Sequence, residues 1–202
     1  MPNLPRSEPL IVAYRALKRA LADPKRAVGS QIIVTELAET LGLSATPIRE
    51  AIARLVGEGL VEDRRRQGYF VPRLNEMRVA DLYWLQDICL RAGLCRAPKH
   101  QAAGQGVLTD THDAGDIGCL CRSIAARSGS AILAAIVENL NDRLAPYRRA
   151  EEEIVDSAMR DALGLAVKAA DNAALAKTVQ RYFRICFQSA ALIVAERETA
   201  QI

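Results

Sequence analysis

The 202-residue sequence has few aromatic residues, two histidines and no long apolar run. Aromatic side chains make up 4% of the chain, so Ala, Leu, Ile and Val must form most of the core, a composition that favours helices. No stretch approaches the roughly 18 apolar residues needed to cross a bilayer. The segment Met1–Arg6 lacks the apolar core of a secretory signal. We therefore expect a cytoplasmic protein without a membrane segment.

The five cysteines are too few and too irregular to form a structural framework. An odd number excludes complete intramolecular pairing, and cytoplasmic thiols stay reduced. Neither the cysteines nor His100 and His112 follow a recognised zinc spacing. The sequence also has no phosphate-binding loop and no Ser–His–Asp grouping, so we expect no catalytic residues, no metal and no cofactor.

Charge and periodicity divide the chain into two predicted domains. Residues 1–75 hold 12 Lys and Arg against 8 Asp and Glu, whereas residues 76–202 hold 15 against 16. Strand-like patterning occurs only in the first part, and the second is helical throughout. A small basic domain joined to a nearly neutral helical bundle is typical of a protein that binds a polyanion.

The first domain has the spacing of a helix-turn-helix. Apolar periodicity predicts helices over 8–22 and 34–41, and Gly42 follows the second as a glycine cap. Ser44 is placed to cap a third helix, which has Pro47 in its first turn. Two short helices joined by such a turn place the second helix in the major groove of DNA.

A predicted hairpin follows the third helix. Segments 60–63 and 69–71 have strand character and flank the basic segment Arg64–Gly68. The arginines could contact phosphates, and Gly68 would allow close approach of the backbone. The alternative is an ordinary helical hairpin with a solvated run of arginines.

Residues 10–72 resemble the winged helix-turn-helix of GntR-type bacterial transcriptional regulators, most specifically in the motif from Leu43 to Ala51. The resemblance implies a homodimer that acts as a repressor and binds a palindromic operator in double-stranded DNA. Position 45 is Ala, where many relatives have Arg, so the operator should differ from theirs. The candidate DNA-binding residues are Thr35, Ser44, Ala45, Thr46, Arg49, Arg64, Arg65, Arg66 and Gly68.

The second domain more loosely resembles the FadR-type subgroup, whose all-helical domain binds an effector, often at a metal. The positions that match the metal ligands of that subgroup are Ile117, Cys121, Arg160 and Tyr182, which retain no histidine. We expect helices over 76–92, from Asp116, over 132–144, from Glu151 and over 175–194, and an irregular segment at 93–115. The candidates for binding a small organic acid are Arg143, Arg148 and Tyr182.

The sequence thus predicts a mainly α protein: a winged helix-turn-helix of three helices and a β-hairpin, followed by an all-α effector and dimerisation domain. We expect the protein to be a transcriptional regulator, and we expect an organic acid to control its affinity for the operator. The alternative is a regulator that has lost metal and effector binding. Such a protein would act constitutively, through a partner, or through the redox state of cysteines such as Cys119 and Cys121.

Overall fold

The computed structural model describes residues 7–23, 26–97, 116–169 and 171–199. These residues form two compact units, one ending at Arg73 and one beginning at Leu74. Among the described helices, none combines the length and the apolar character needed to cross a membrane. Residues 98–115, with His100 and His112 and most of the segment predicted to be irregular, lie outside the described ranges.

The first unit contains three helices and a small sheet. The elements are α1 (Ser7–Ala22), β1 (Gln31–Ile32), α2 (Val34–Leu41), α3 (Ala45–Gly57), β2 (Glu62–Arg64) and β3 (Gly68–Phe70). The predicted hairpin is confirmed, but β1 was missed: it pairs antiparallel with β3 and gives the strand order β1-β3-β2. A two-residue strand has no periodicity of its own, so only its pairing reveals it.

The turn between α2 and α3 is built on Gly42. This residue has φ +62°, and no atom would come within 4 Å of an added Cβ. A side chain would therefore have ample space at this position. Glycine is favoured there because the backbone is left-handed, not because of crowding. The amide of Leu43 donates to the carbonyl of Ala38 at 3.0 Å, which closes the end of α2.

The core of the first unit holds α3 against α1. The buried side chains of α3 recur at helical spacing and meet those of α1 in one buried cluster. The side chains of this cluster are fully or nearly fully buried. They include Ala13, Leu17, Leu21, Ile32, Ile48, Ala51, Ile52, Leu55, Leu60 and Val71. The opposite face of α3 is therefore left to the solvent.

The second unit consists of helices. They are α4 (Glu76–Arg96), α5 (Ile117–Ala126), α6 (Ala131–Leu144), α7 (Arg148–Ile154), α8 (Ser157–Lys168), α9 (Asn172–Gln188) and α10 (Ala190–Thr199), with a 3-10 turn at Ala145–Tyr147. Helix α4 packs along α9. The core of this unit includes Val79, Leu90, Ile124, Leu140, Leu163, Val179 and Phe183.

Three predicted boundaries in the second unit are wrong. Helix α4 is one turn longer than the sequence suggested, because Gly93 is buried inside it against Leu133. The helix expected to begin at Glu151 is two helices, since Asp156 leaves the helical conformation and caps α8 by accepting from the amide of Ala158 at 2.9 Å. The last helix breaks at Ser189.

Candidate DNA-binding surface and polar centre

The exposed face of α3 carries the candidate contacts of the helix-turn-helix. Thr46, Arg49 and Ala53 follow one another at helical spacing on the side away from α1, and all three are exposed. Glu50 lies beside them. Within the described ranges Arg49 has no hydrogen-bond or ion-pair partner. Its guanidinium is therefore available to acceptors outside the chain.

Ser44 occupies the N-cap position of α3, as predicted, but its side chain makes no capping hydrogen bond. The prediction that Ser44 caps α3 through its side chain is therefore wrong, because the hydroxyl does not accept from the first-turn amides. Ser44 is exposed, as is Thr35 near the start of α2. Ala45 is half-buried and adds no polar group to the surface.

The structure separates the three arginines of the hairpin. Arg64 ends β2, where its Nη2 lies 3.0 Å from Oε2 of Glu62 and its guanidinium carbon lies 4.2 Å from the ring centroid of Phe70. The hydrogen bond to Glu62 raises the pKa of Arg64 above its ordinary value. Arg65 and Arg66 lie in the turn and are exposed. Arg64 is thus held at the base of the wing, while the other two form its tip.

The tip of the wing has an unusual backbone. Arg66 has φ +64°, the left-handed conformation that costs most residues free energy. Gly68 has φ +102°, and an added Cβ would come within 3.3 Å of Nε2 of Gln31. The same Nε2 donates to the carbonyl of Gln67 at 3.0 Å. The left-handed backbone therefore favours glycine at position 68, and the side chain of Gln31 packs closely against it, a contact that sequence reasoning missed.

In the second unit a buried carboxylate gathers the polar side chains. Glu151 is 0% exposed. Its Oε2 accepts from the hydroxyl of Tyr83 at 2.7 Å, and its Oε1 accepts from the hydroxyl of Tyr182 at 2.5 Å. Nη1 of Arg148 donates to both carboxylate oxygens, at 2.9 and 2.6 Å. We call Tyr83, Asn141, Arg148, Glu151 and Tyr182 the polar centre.

Asn141 extends the polar centre toward α5. Its Oδ1 accepts from Nη2 of Arg148 at 3.2 Å and from Nε2 of Gln86 at 2.6 Å, and its Nδ2 donates to the carbonyl of Gly118 at 3.2 Å. Arg148 is thereby fixed by both Glu151 and Asn141. A buried charge with all of its partners supplied by the protein is held in one geometry.

Burial dominates the titration of the groups around Glu151. Burial and the charge of Glu151 raise the pKa of Tyr83 and of Tyr182, so both phenols stay protonated and act as donors. Burial alone would lower the pKa of Arg148, but the nearby Glu151 carboxylate raises it above its ordinary value. Burial also raises the pKa of the Cys121 thiol to about 12 and that of Cys186 well above its ordinary value.

The three predicted effector residues are not together. Arg148 and Tyr182 meet at Glu151, but Arg143 is outside the polar centre, with its Nε buried and without a hydrogen-bond partner in the described structure. Burial, and then the charge of Arg78, lower the pKa of Arg143. Arg160, which occupies a position that matches a metal ligand of the FadR-type subgroup, donates to the backbone carbonyls of Glu152 and Val155. No three His, Cys, Asp or Glu side chains of the described ranges converge as metal ligands would.

Sequence reasoning did not identify Glu151, Tyr83 or Asn141. The run Glu151–Glu153 suggested a favourable helix N-terminus, and Glu152 and Glu153 are indeed exposed. However, Glu151 is buried, and nothing in the acidic run itself distinguishes it from its two exposed neighbours. Arg148, one turn before Glu151, was the available signal for a pair at this position.

The first unit, with its exposed α3 and its three-stranded sheet, has the fold of a winged helix-turn-helix. Residues 12–71 match the model of the bacterial regulatory proteins of the gntR family. An HTH-type transcriptional regulator in an unstable DNA locus of Streptomyces ambofaciens is 36% identical over 74 residues, which are 37% of this chain and 31% of that protein. The chain therefore aligns with only about a third of that relative.

Two solved structures resemble nearly the whole chain. The E. coli protein McbR/YncC has a TM-score of 0.64 at 22% identity, over 92% of this chain and 97% of the other. A structure titled as a GntR transcriptional regulator from Rhodococcus sp. RHA1 has a TM-score of 0.73 at 16% identity, over 94% and 98%. These similarities establish the combination of a winged domain and an all-helical domain as a shared fold.

Proposed function

We propose that the chain is a sequence-specific DNA-binding transcriptional regulator. The observation that carries this proposal is the exposed face of α3, where Arg49 has no partner within the described residues, while the buried side chains of the helix pack against α1. In this proposal Thr46 and Arg49 enter the major groove, with Ser44, Ala45 and Thr35 beside them. The wing places Arg65, Arg66 and Gly68 against the phosphates, and Arg64 supports the wing from its base.

The regulator is proposed to act as a homodimer on a palindrome. A twofold-symmetric dimer presents two recognition helices, which read two half-sites related by the same symmetry. Repression is the proposed outcome, because a dimer bound at a promoter competes with the transcription machinery for DNA.

Selection from a random-sequence DNA library tests this function. The full chain should enrich one palindromic sequence, and Arg49→Ala should fail to enrich it while melting at the same temperature. Arg54→Ala is the matched control on the same helix, because Arg54 contacts Tyr14 and Glu58. Enrichment of no sequence by the wild-type chain, or of the same palindrome by Arg49→Ala, would contradict the proposal.

Control by a small organic acid is proposed only at Arg143. Its buried Nε lacks an acceptor within the described residues, and the pKa is lowered by burial and by Arg78, so an anion would relieve both effects. Melting curves of the full chain with a panel of short dicarboxylates test this site. A shift in the wild type that Arg143→Gln abolishes supports it, and equal shifts in both proteins exclude it.

The second candidate is a regulator that has lost metal and effector binding and acts constitutively, through a partner or through the redox state of its cysteines. The observation favouring it is that Glu151 already takes the donors of Arg148 and Tyr182. Redox control through Cys119 and Cys121 has less support, because burial raises the pKa of the Cys121 thiol and disfavours its reactive thiolate. Operator binding that is unchanged by both acids and oxidants would support the constitutive form of the second candidate.

A further inference from the structure

The donors around Glu151 come from three different helices. Tyr83 lies on α4, Arg148 on α7 and Tyr182 on α9, and all three direct their donor groups at one carboxylate. An ordinary ion pair along one helix requires only two neighbouring side chains. Here the packing of the bundle itself creates a set of donors, with a charged guanidinium flanked by two hydroxyls. This is a donor set that proteins use to bind carboxylates.

The carboxylate is also enclosed as a bound ligand would be. The side chain of Glu151 is 1% exposed and that of Arg148 is 13% exposed. Removing both charges from water is costly, and the cost is offset only when every oxygen has partners. Each oxygen of Glu151 accepts from one tyrosine hydroxyl and from Nη1 of Arg148. The two hydroxyls and the guanidinium thus surround the carboxyl group of Glu151 with donors on both oxygens.

We propose that Tyr83, Arg148 and Tyr182 form a carboxylate-binding site whose resident ligand is the side chain of Glu151. A side chain of the same protein thus occupies the site. An acid from solution could enter only by displacing Glu151, which is covalently tethered beside it. A tethered group has an effective concentration of the order of millimolar or more, so a weakly binding metabolite does not displace it. The inference concerns the same side chains as the second candidate function, but its test measures folding and is independent of DNA binding.

The proposal has a direct chemical test. Replacing Glu151 by Ala removes the Cγ atom and the carboxylate, and the missing fragment is an acetate ion. The variant should melt well below wild type, because Arg148 loses its counter-ion in a buried position. Sodium acetate at about 100 mM should restore at least half of the lost melting temperature by binding only the folded state. Sodium chloride and acetamide at the same concentration should not.

Three controls define the expected specificity. Wild type should not respond to acetate, because its site is full, and Glu152→Ala should melt like wild type because that side chain is exposed on the same helix. The double variant Glu151→Ala with Arg148→Met should be indifferent to acetate, since the site has lost its charge.

A second variant decides the matter even if Glu151→Ala does not fold. Glu151→Gln keeps the shape but removes the charge, so it should melt below wild type and, having no vacant volume, should gain nothing from acetate. If Glu151→Gln is as stable as wild type, or if folded Glu151→Ala responds equally to acetate and chloride, Glu151 is not a resident ligand and the proposal is overturned.

Discussion

Arg49 and Arg54 lie on the same helix, yet only Arg54 is held by the protein. The guanidinium carbon of Arg54 lies 4.3 Å from the ring centroid of Tyr14, and its Nε lies 3.0 Å from Oε1 of Glu58. The hydroxyl of Tyr14 donates to the other oxygen of Glu58 at 2.7 Å. Arg49 has no such contact in the described structure. The same residue type therefore has a structural role at one position and an open surface role at the other.

This difference predicts opposite phenotypes. Arg49→Ala should weaken binding to the selected operator by about 1–3 kcal/mol, the usual value of a two-pronged contact to guanine, and leave melting unchanged. Arg54→Ala should change DNA affinity less and lower the melting temperature of the first unit slightly. Titration of labelled operator and circular dichroism melting of both variants measure the two effects. An equal loss of affinity in both would show that Arg49 acts only through general charge.

The wing predicts a difference in salt dependence. Replacing Arg65 and Arg66 together by Ala should reduce the slope of log affinity against log salt by up to about 2, since each phosphate contact contributes about 0.9. Arg64→Ala should reduce the slope less, because Glu62 and Phe70 hold that guanidinium. The measurement is operator binding at several salt concentrations. If Arg64 alone accounts for the salt dependence, Arg64 must break its contacts with Glu62 and Phe70 when the protein binds DNA.

How far the sequence predicts this molecule depends on the range of each interaction. The turn at Gly42 is a local feature, and the glycine between two apolar periods was sufficient to place it. Strand β1 was not predictable, because Gln31 and Ile32 become a strand only by pairing with β3. Arg64 is held in place whereas Arg65 and Arg66 are exposed, and this difference likewise depends on a residue of the opposite strand, Phe70, whose ring Arg64 contacts.

The polar centre shows the same limit more strongly. Glu151 bonds to Tyr83, 68 positions earlier, and to Tyr182, 31 positions later. No local pattern relates these residues, and a run of acidic side chains is usually solvated. The sequence could indicate a pair between Arg148 and Glu151, one helical turn apart, but the other partners of Glu151 follow only from the packing of α4, α7 and α9.

Gly42 and Gly57 offer a matched pair for backbone conformation. Neither has an atom within 4 Å of an added Cβ, but only Gly42 has a positive φ. Gly42→Ala should destabilise the helix-turn-helix by about 1 kcal/mol through the left-handed backbone alone. Gly57→Ala, at the end of α3, should be neutral or stabilise by about 0.5 kcal/mol because it restricts the unfolded chain. Hydrogen exchange of the amides in α2 and α3 measures both, and equal effects would exclude the conformational explanation.

The buried Cys121 thiol predicts a loss of stability in alkali. Burial raises its pKa from 9.0 to about 12, so between these values the folded chain retains a proton that the unfolded chain releases. The unfolding free energy should therefore be fully present below pH 9 and fall above it, by up to about 1.4 kcal/mol per pH unit for this group. Trp84, the one tryptophan of the chain, lies on α4 and reports unfolding of the helical unit by fluorescence. Urea titrations from about pH 8 to about pH 10 should give a shallower decline for Cys121→Ala than for wild type, and an identical decline would assign the alkaline loss to other groups, with Cys186 the next to test.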